Sequence, residues 1–171
     1  MGVRSPAIPA GKAACRAGGS VATYRFLVLE GPSRVGKTRF AKGLCESATH
    51  VLELNCAAGV EPDLRHFRYG THRLVLLDEV SPSVILKQKK MMQAGPCSVQ
   101  LGCSSTNCFS YNVFLYQVML VCSTNTWSTE VAGLCPEDQS WLEANMVYMF
   151  VDAPMWVEHV VEVEPAASST P

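Results

Sequence analysis

The chain has 171 residues, 48% of them apolar and 17% charged, with a formal net charge of −1. That length and apolar content suit one compact domain with a substantial core. They exclude a membrane span, because the longest apolar stretch, around Val113 to Cys122, is interrupted and well short of about twenty residues.

Residues 1–20 hold Pro, Gly, Ala and three basic side chains without an acid or a clear periodicity, and are expected to be disordered. This basic start leaves organelle targeting open but lacks the amphipathic patterning of a transit peptide. Pro6 spoils a myristoylation match at Gly2. Residues 21–160 are read as the folded domain and 161–171 as a flexible tail.

A strand at 24–30 runs into Gly31-Pro32-Ser33-Arg34-Val35-Gly36-Lys37-Thr38, a complete G-x-x-x-x-G-K-[ST] phosphate-binding loop. Gly31 and Gly36 let the backbone turn sharply and bring N–H groups to phosphate oxygens. Lys37 is expected to reach the β- and γ-phosphates, and the Thr38 hydroxyl to ligate Mg²⁺. A helix over 37–47 would offer its positive end to the same anion. Arg34 is read either as a phosphate-neutralising group or as a solvated tip.

After a short strand at 51–54 and a loop or short helix at 61–67, residues 73–78 form an apolar strand ending in Asp78 and Glu79. Strands often end in acids at a sheet edge. Forty residues after a phosphate loop, the pair instead reads as the acidic strand that partners it. Asp78 would sit near Thr38 and hold Mg²⁺, largely through water. Glu79 would polarise the attacking water, work worth on the order of 10²–10⁴ in rate.

A helix is expected over 82–93, with Pro82 near its start. Residues 98–116 read as two short strands joined by the polar turn Ser104-Ser105-Thr106-Asn107. A strand at 117–123 follows, on a stretch that ends in Asn125. Beside the loop strand, Asn125 is expected to touch the γ-phosphate or orient the water; the plain alternative is a turn former. A helix at 137–145 and a strand at 146–152 complete the pattern. Alternation of strand and helix around a phosphate loop implies an α/β fold, a parallel sheet with helices on both faces and the nucleotide at the strands' carboxyl ends.

Cys45, Cys56 and Cys122, of eight cysteines, fall in or beside apolar elements and behave as small hydrophobes. Cys97, Cys103 and Cys108 cluster, without the spacing or fourth ligand that zinc requires. A reducing intracellular compartment, cytoplasmic or nuclear, is expected.

The order of these parts resembles the ATPase domain of superfamily-3 helicases, in particular the replication initiator (Rep) proteins of small circular single-stranded DNA viruses. The resemblance rests on Gly31–Thr38, Leu74–Glu79, Lys87–Gln93 with its following hairpin, and Ser123-Thr124-Asn125, within about residues 24–157. It implies an ASCE-like, AAA-type P-loop NTPase with an inserted β-hairpin, forming a homo-oligomeric ring that hydrolyses Mg-ATP on single-stranded DNA. By position it implies roles for Lys37, Thr38, Asp78, Glu79 and Asn125. Residues 1–20 leave no room for the family's nicking endonuclease domain, so none is expected within this chain.

Charge departs from that pattern. All fourteen Lys and Arg lie at or before Lys90, so residues 1–90 carry +7 and residues 91–171 carry −8. The hairpin that presents basic residues to DNA in helicase relatives is therefore uncharged. Cationic phosphate contacts supply much of the affinity for nucleic acid, so weak, salt-sensitive binding of single-stranded DNA or RNA is expected. Lys87, Lys89 and Lys90, read as a DNA-facing remnant or a solvated helix face, and the N-terminal segment are where it would occur. Phe109 and Tyr111 are read as packing residues in preference to base-stacking ones. No arginine finger is evident in the second half; Arg65, Arg68 or Arg73 could serve from the first. Mg-dependent ATP hydrolysis is the reading favoured by these residues. A nucleotide-dependent binding module without DNA translocation, or a small P-loop phosphotransferase, remains open beside it.

Overall fold

The computed structural model of the chain describes residues 24–102 and 109–155. The N-terminal segment 1–20, the turn Ser104–Asn107, Cys103, Cys108 and the tail 161–171 lie outside the described residues.

Five strands form one sheet: β1 (Phe26–Glu30), β2 (Val51–Asn55), β3 (Leu74–Asp78), β6 (Met119–Thr124) and β7 (Met146–Phe150). Their spatial order is β2-β3-β6-β1-β7, and every neighbouring pair runs parallel. The three central strands read as near-continuous apolar runs, as strands covered on both faces do. In β3, Leu74, Val75, Leu76 and Leu77 are all buried. The register sets Glu30 opposite Thr124 and Asp78 opposite Ser123, so β1, β3 and β6 end together along one rim. Crossover connections place β6 between the loop strand and the acidic strand.

Alternation along each strand divides the core into two layers. Phe26, Val28, Val75, Leu77, Leu120 and Cys122 face one side. There they meet α2 (Pro82–Lys87), α3 (Lys89–Met92), α4 (Trp127–Ala132) and α5 (Pro136–Asn145) through Ile85, Met92, Trp127 and Leu142. Leu29, Leu74, Leu76 and Val121 face the other side, where α1 (Lys37–Gly43) covers them with Ala41 and Phe40. Cys56 and Cys122 lie in the first layer and Cys45 beside the second, in the apolar positions expected of them. This is the α/β P-loop NTPase-like architecture, with helices on both faces. The hairpin is present as an antiparallel pair, β4 (Val99–Leu101) and β5 (Tyr111–Val113), with Gln100 opposite Asn112. No helix of the described residues is long and apolar enough to cross a membrane.

Several elements differ from the sequence reading. The helix expected over 37–47 stops at Gly43, a residue of low helix propensity, and Ser47 caps a separate 3₁₀ turn at Ala48–His50 through the Thr49 N–H. The helix expected over 82–93 breaks at Gln88, with φ −111° and ψ 30°. There the Gln88 amide reaches Glu61 at 3.2 Å and Lys89 turns to Asp138 at 2.8 Å. Residues 61–67, expected as a loop or short helix, form a loop. The unforeseen element is α4, which follows Asn125 so closely that its Ser and Thr residues read as loop. The Thr126 hydroxyl donates to Glu130 Oε1 at 2.6 Å across the first turn. Trp127 is 1% exposed at its start, and its indole N–H has no acceptor. Burial of so large a ring offsets that unmade bond. β7 is an edge strand with Val147, Tyr148, Met149 and Phe150 all exposed.

Candidate functional site

The chain leaves β1 at Glu30 and turns at once at Gly31. A Cβ at Gly31 would sit 2.1 Å from the carbonyl oxygen of Val151, a backbone atom, so only glycine fits. The segment after β7 clasps the loop from outside. Val151 N–H donates to Glu30 O at 2.7 Å, and Met155 N–H donates to Val35 O at 2.9 Å. Arg34 (φ 69°) and Gly36 (φ 91°) both take left-handed backbone, which curls the tip before α1 begins.

Lys37 is 7% exposed, and its ammonium donates three hydrogen bonds. These go to Gly31 O at 2.7 Å, Pro32 O at 2.8 Å and Asn125 Oδ1 at 2.8 Å. Burial lowers its pKa, and the negative charges of Asp78, Glu30 and Glu79 oppose that shift. Asn125 also donates from Nδ2 to Ser33 Oγ at 3.4 Å, so it joins the end of β6 to the loop. The Thr38 hydroxyl donates to Asp78 Oδ1 at 3.3 Å. Glu79 follows with φ 54°, a strained conformation for an acid.

These groups line one cavity of about 350 Å³ at the carboxyl ends of the strands. Of the residues singled out from sequence, Ser33, Arg34, Gly36, Lys37, Thr38, Asp78, Glu79 and Asn125 line it. Gly31 and Pro32 instead present carbonyls to Lys37, while Val35 is buried beneath the loop. Ser123 and Thr124, from the Ser123-Thr124-Asn125 segment, also line the cavity, as does Arg39, which carries no signal of its own in the sequence.

Arg34 and Arg39 line the cavity, whereas the arginine-finger candidates Arg65, Arg68 and Arg73 do not. Arg73 precedes β3 at the opposite end of the sheet, roughly 16 Å of strand from Asp78. Arg65 is held by Asp63 at 3.0 Å. Within the basic cluster on α2 and α3, Lys89 is tied into the fold, while Lys87 and Lys90 are exposed. Lys89 pairs with Asp138 at 2.8 Å and lies 5.1 Å from the Trp141 ring centre, while Lys87 faces Glu61 at 3.9 Å.

Glu30 ends β1. It is 3% exposed, and its carboxylate accepts from the Ser128 N–H at 3.0 Å, the Ser128 hydroxyl at 2.9 Å and the Tyr148 hydroxyl at 2.6 Å. The Tyr148 hydroxyl is pushed up to about 12, first by burial and then by the bond to Glu30 and its charge. Glu30 thus pins the end of β1, directly before the loop, to α4 and β7. An acid ending an apolar central strand signals a need for partners, although the sequence does not name them. Glu30→Ala should destabilise the fold by about 1–3 kcal/mol, since three part-buried donor groups lose their shared acceptor. Urea unfolding should show a lower midpoint at an unchanged slope; an unmoved midpoint would contradict the role.

No family model and no curated protein matches the sequence. Among solved structures, the apo structure of the NrS-1 C-terminal region (305–718) is similar with a TM-score of 0.49 at 13% identity, over 82% of this chain and 32% of that chain. The X-ray structure of JCV helicase is similar with a TM-score of 0.42 at 14% identity, over 76% of this chain and 35% of that one. The chain therefore spans about a third of the length of each. The fold assignment rests on the strand order and the converging rim residues.

Proposed function

We propose that the chain binds Mg-ATP in the Gly31–Thr38 loop and hydrolyses it to ADP and phosphate. The observation that carries this reading is convergence. Three parallel strands deliver Lys37 and Thr38, Asp78 and Glu79, and Asn125 to one cavity from positions far apart in sequence.

The donor set fits magnesium. A hydroxyl and a carboxylate oxygen, Thr38 Oγ1 and Asp78 Oδ1, already lie 3.3 Å apart. Mg²⁺ is held by one or two carboxylates together with phosphate oxygens in preference to an all-protein cage. When bound, it neutralises charge on the β- and γ-phosphate oxygens. Lys37 exchanges its loop carbonyls for phosphate oxygens, gaining charge-assisted bonds. Asn125, tethered to Lys37 and Ser33, orients the attacking water, and Glu79 accepts its proton. Arg34 and Arg39 line the cavity and add positive charge toward the phosphates.

The reading is tested by phosphate release from ATP across a magnesium titration. Wild-type protein should release phosphate only with the metal. Asp78→Asn should raise the half-saturating magnesium concentration by about ten- to a hundredfold. Absence of release at every magnesium concentration, or an unshifted curve for Asp78→Asn, counts against the proposal.

A further inference from the structure

Among the described residues, one buried hydroxyl in the nucleotide cavity makes no hydrogen bond. β6 carries Ser123 and Thr124 to the rim, where they are only 3% and 5% exposed. The Thr124 hydroxyl accepts the Thr126 N–H at 3.5 Å. The Ser123 hydroxyl has no such partner, although Ser123 lines the cavity. Among fully enclosed side-chain polar atoms of the described residues, only the Trp127 indole nitrogen is unpaired. The Ser123 oxygen is therefore not sealed in the core and opens on the cavity. A nearly buried hydroxyl without a partner costs the free protein stability.

Strand register shows what the hydroxyl faces. Ser123 lies opposite Asp78, and two residues earlier Val121 lies opposite Leu76. Val121 and Leu76 belong to the layer under α1. By the two-residue alternation of a strand, Ser123 and Asp78 point to that same side, on strands about 4.8 Å apart. Thr38, at the start of α1, closes the space by donating to Asp78 Oδ1 at 3.3 Å. Asp78 Oδ2 accepts no hydrogen bond among the described residues. Two hydroxyls and a carboxylate thus converge, and no imidazole or thiol lines the cavity with them. Oxygen ligands of this kind suit a hard, hydrated divalent cation.

We propose that Ser123 is a positioning residue for the metal of the nucleotide site, its hydroxyl holding a magnesium-bound water that Asp78 also holds. The inference rests on the Mg-ATP reading of this cavity. Magnesium keeps several of its waters, so a protein site has to hold those waters as well as the ion. A metal-bound water has two protons to give. One meets Asp78 Oδ2 and the other meets Ser123 Oγ, which satisfies both oxygens that the free protein leaves without a donor. Outer partners of this kind are worth about 10- to 100-fold in metal affinity. The loaded site thereby offsets the cost of burying the hydroxyl.

The test reads the metal dependence of binding and not turnover. ATP is titrated calorimetrically into the full chain across a range of magnesium concentrations, and each ligand-free variant is melted. Ser123→Ala should raise the half-saturating magnesium concentration for ATP binding about tenfold. Its ligand-free melting temperature should be unchanged or higher, because a buried hydroxyl without a partner has been removed. In an Asp78→Asn background the same change should add less than about twofold, since the shared water is already weakened. An unshifted magnesium curve in Ser123→Ala, or a further full tenfold shift in the Asp78→Asn background, would overturn the proposal. So would a lower melting temperature with the same loss of ATP affinity at every magnesium concentration, which would make Ser123 a structural residue. A wild-type chain without magnesium-dependent ATP binding would instead overturn the Mg-ATP reading, and the inference with it.

Discussion

Lys37→Ala is expected to weaken ATP binding roughly 10²–10³-fold. The Lys37 ammonium already donates to Gly31 O, Pro32 O and Asn125 Oδ1. A charge-assisted hydrogen bond contributes about 1.5–3 kcal/mol, and exchange of two carbonyls for two phosphate oxygens places two such bonds at stake. The free protein should lose much less. The substitution leaves Gly31 O and Pro32 O without their donor, but it also removes a cation that burial disfavours. The expected signature is a large change in nucleotide affinity with a small change in melting temperature, measured by calorimetric titration and a thermal melt. Retained affinity would mean that phosphate is not held at this loop, and a collapsed fold would mean that Lys37 acts chiefly as a structural clamp.

Glu79→Gln should separate binding from chemistry. The amide keeps the shape and loses the negative charge, so ATP affinity is preserved while turnover falls by about 10²–10⁴. The position of Glu79 supports this division. It lines the cavity beside Asp78 and takes φ 54°, a conformation that glycine or asparagine would adopt at less cost. Single-turnover phosphate release at saturating ATP reads the chemical step. A variant as fast as wild type would remove Glu79 from the reaction and leave the water to another group.

The parts of the molecule legible in the sequence are those written locally. Gly31–Thr38 is a contiguous pattern, Leu74–Asp78 a buried run ending in an acid, and 117–125 a buried run ending in an amide. Each carries its signal within a few residues, and their meeting follows from parallel strands sharing one rim. What escaped is written over long separations. Glu30 finds its partners 98 and 118 residues later, at Ser128 and Tyr148. The break at Gln88 follows from contacts with Glu61 and Asp138 that no helical pattern reveals. Helix α4 escaped for a local reason, since Thr126, Ser128 and Thr129 have the composition of a loop.

The central claim is that one cavity holds a magnesium-bound nucleoside triphosphate. Calorimetric titration of the wild-type chain with ATP, with magnesium and with a chelator in its place, tests it most directly. Saturable binding of one nucleotide per chain that weakens sharply without the metal is the predicted result. An absence of binding heat with magnesium present, or an affinity that is the same with and without it, would contradict the account.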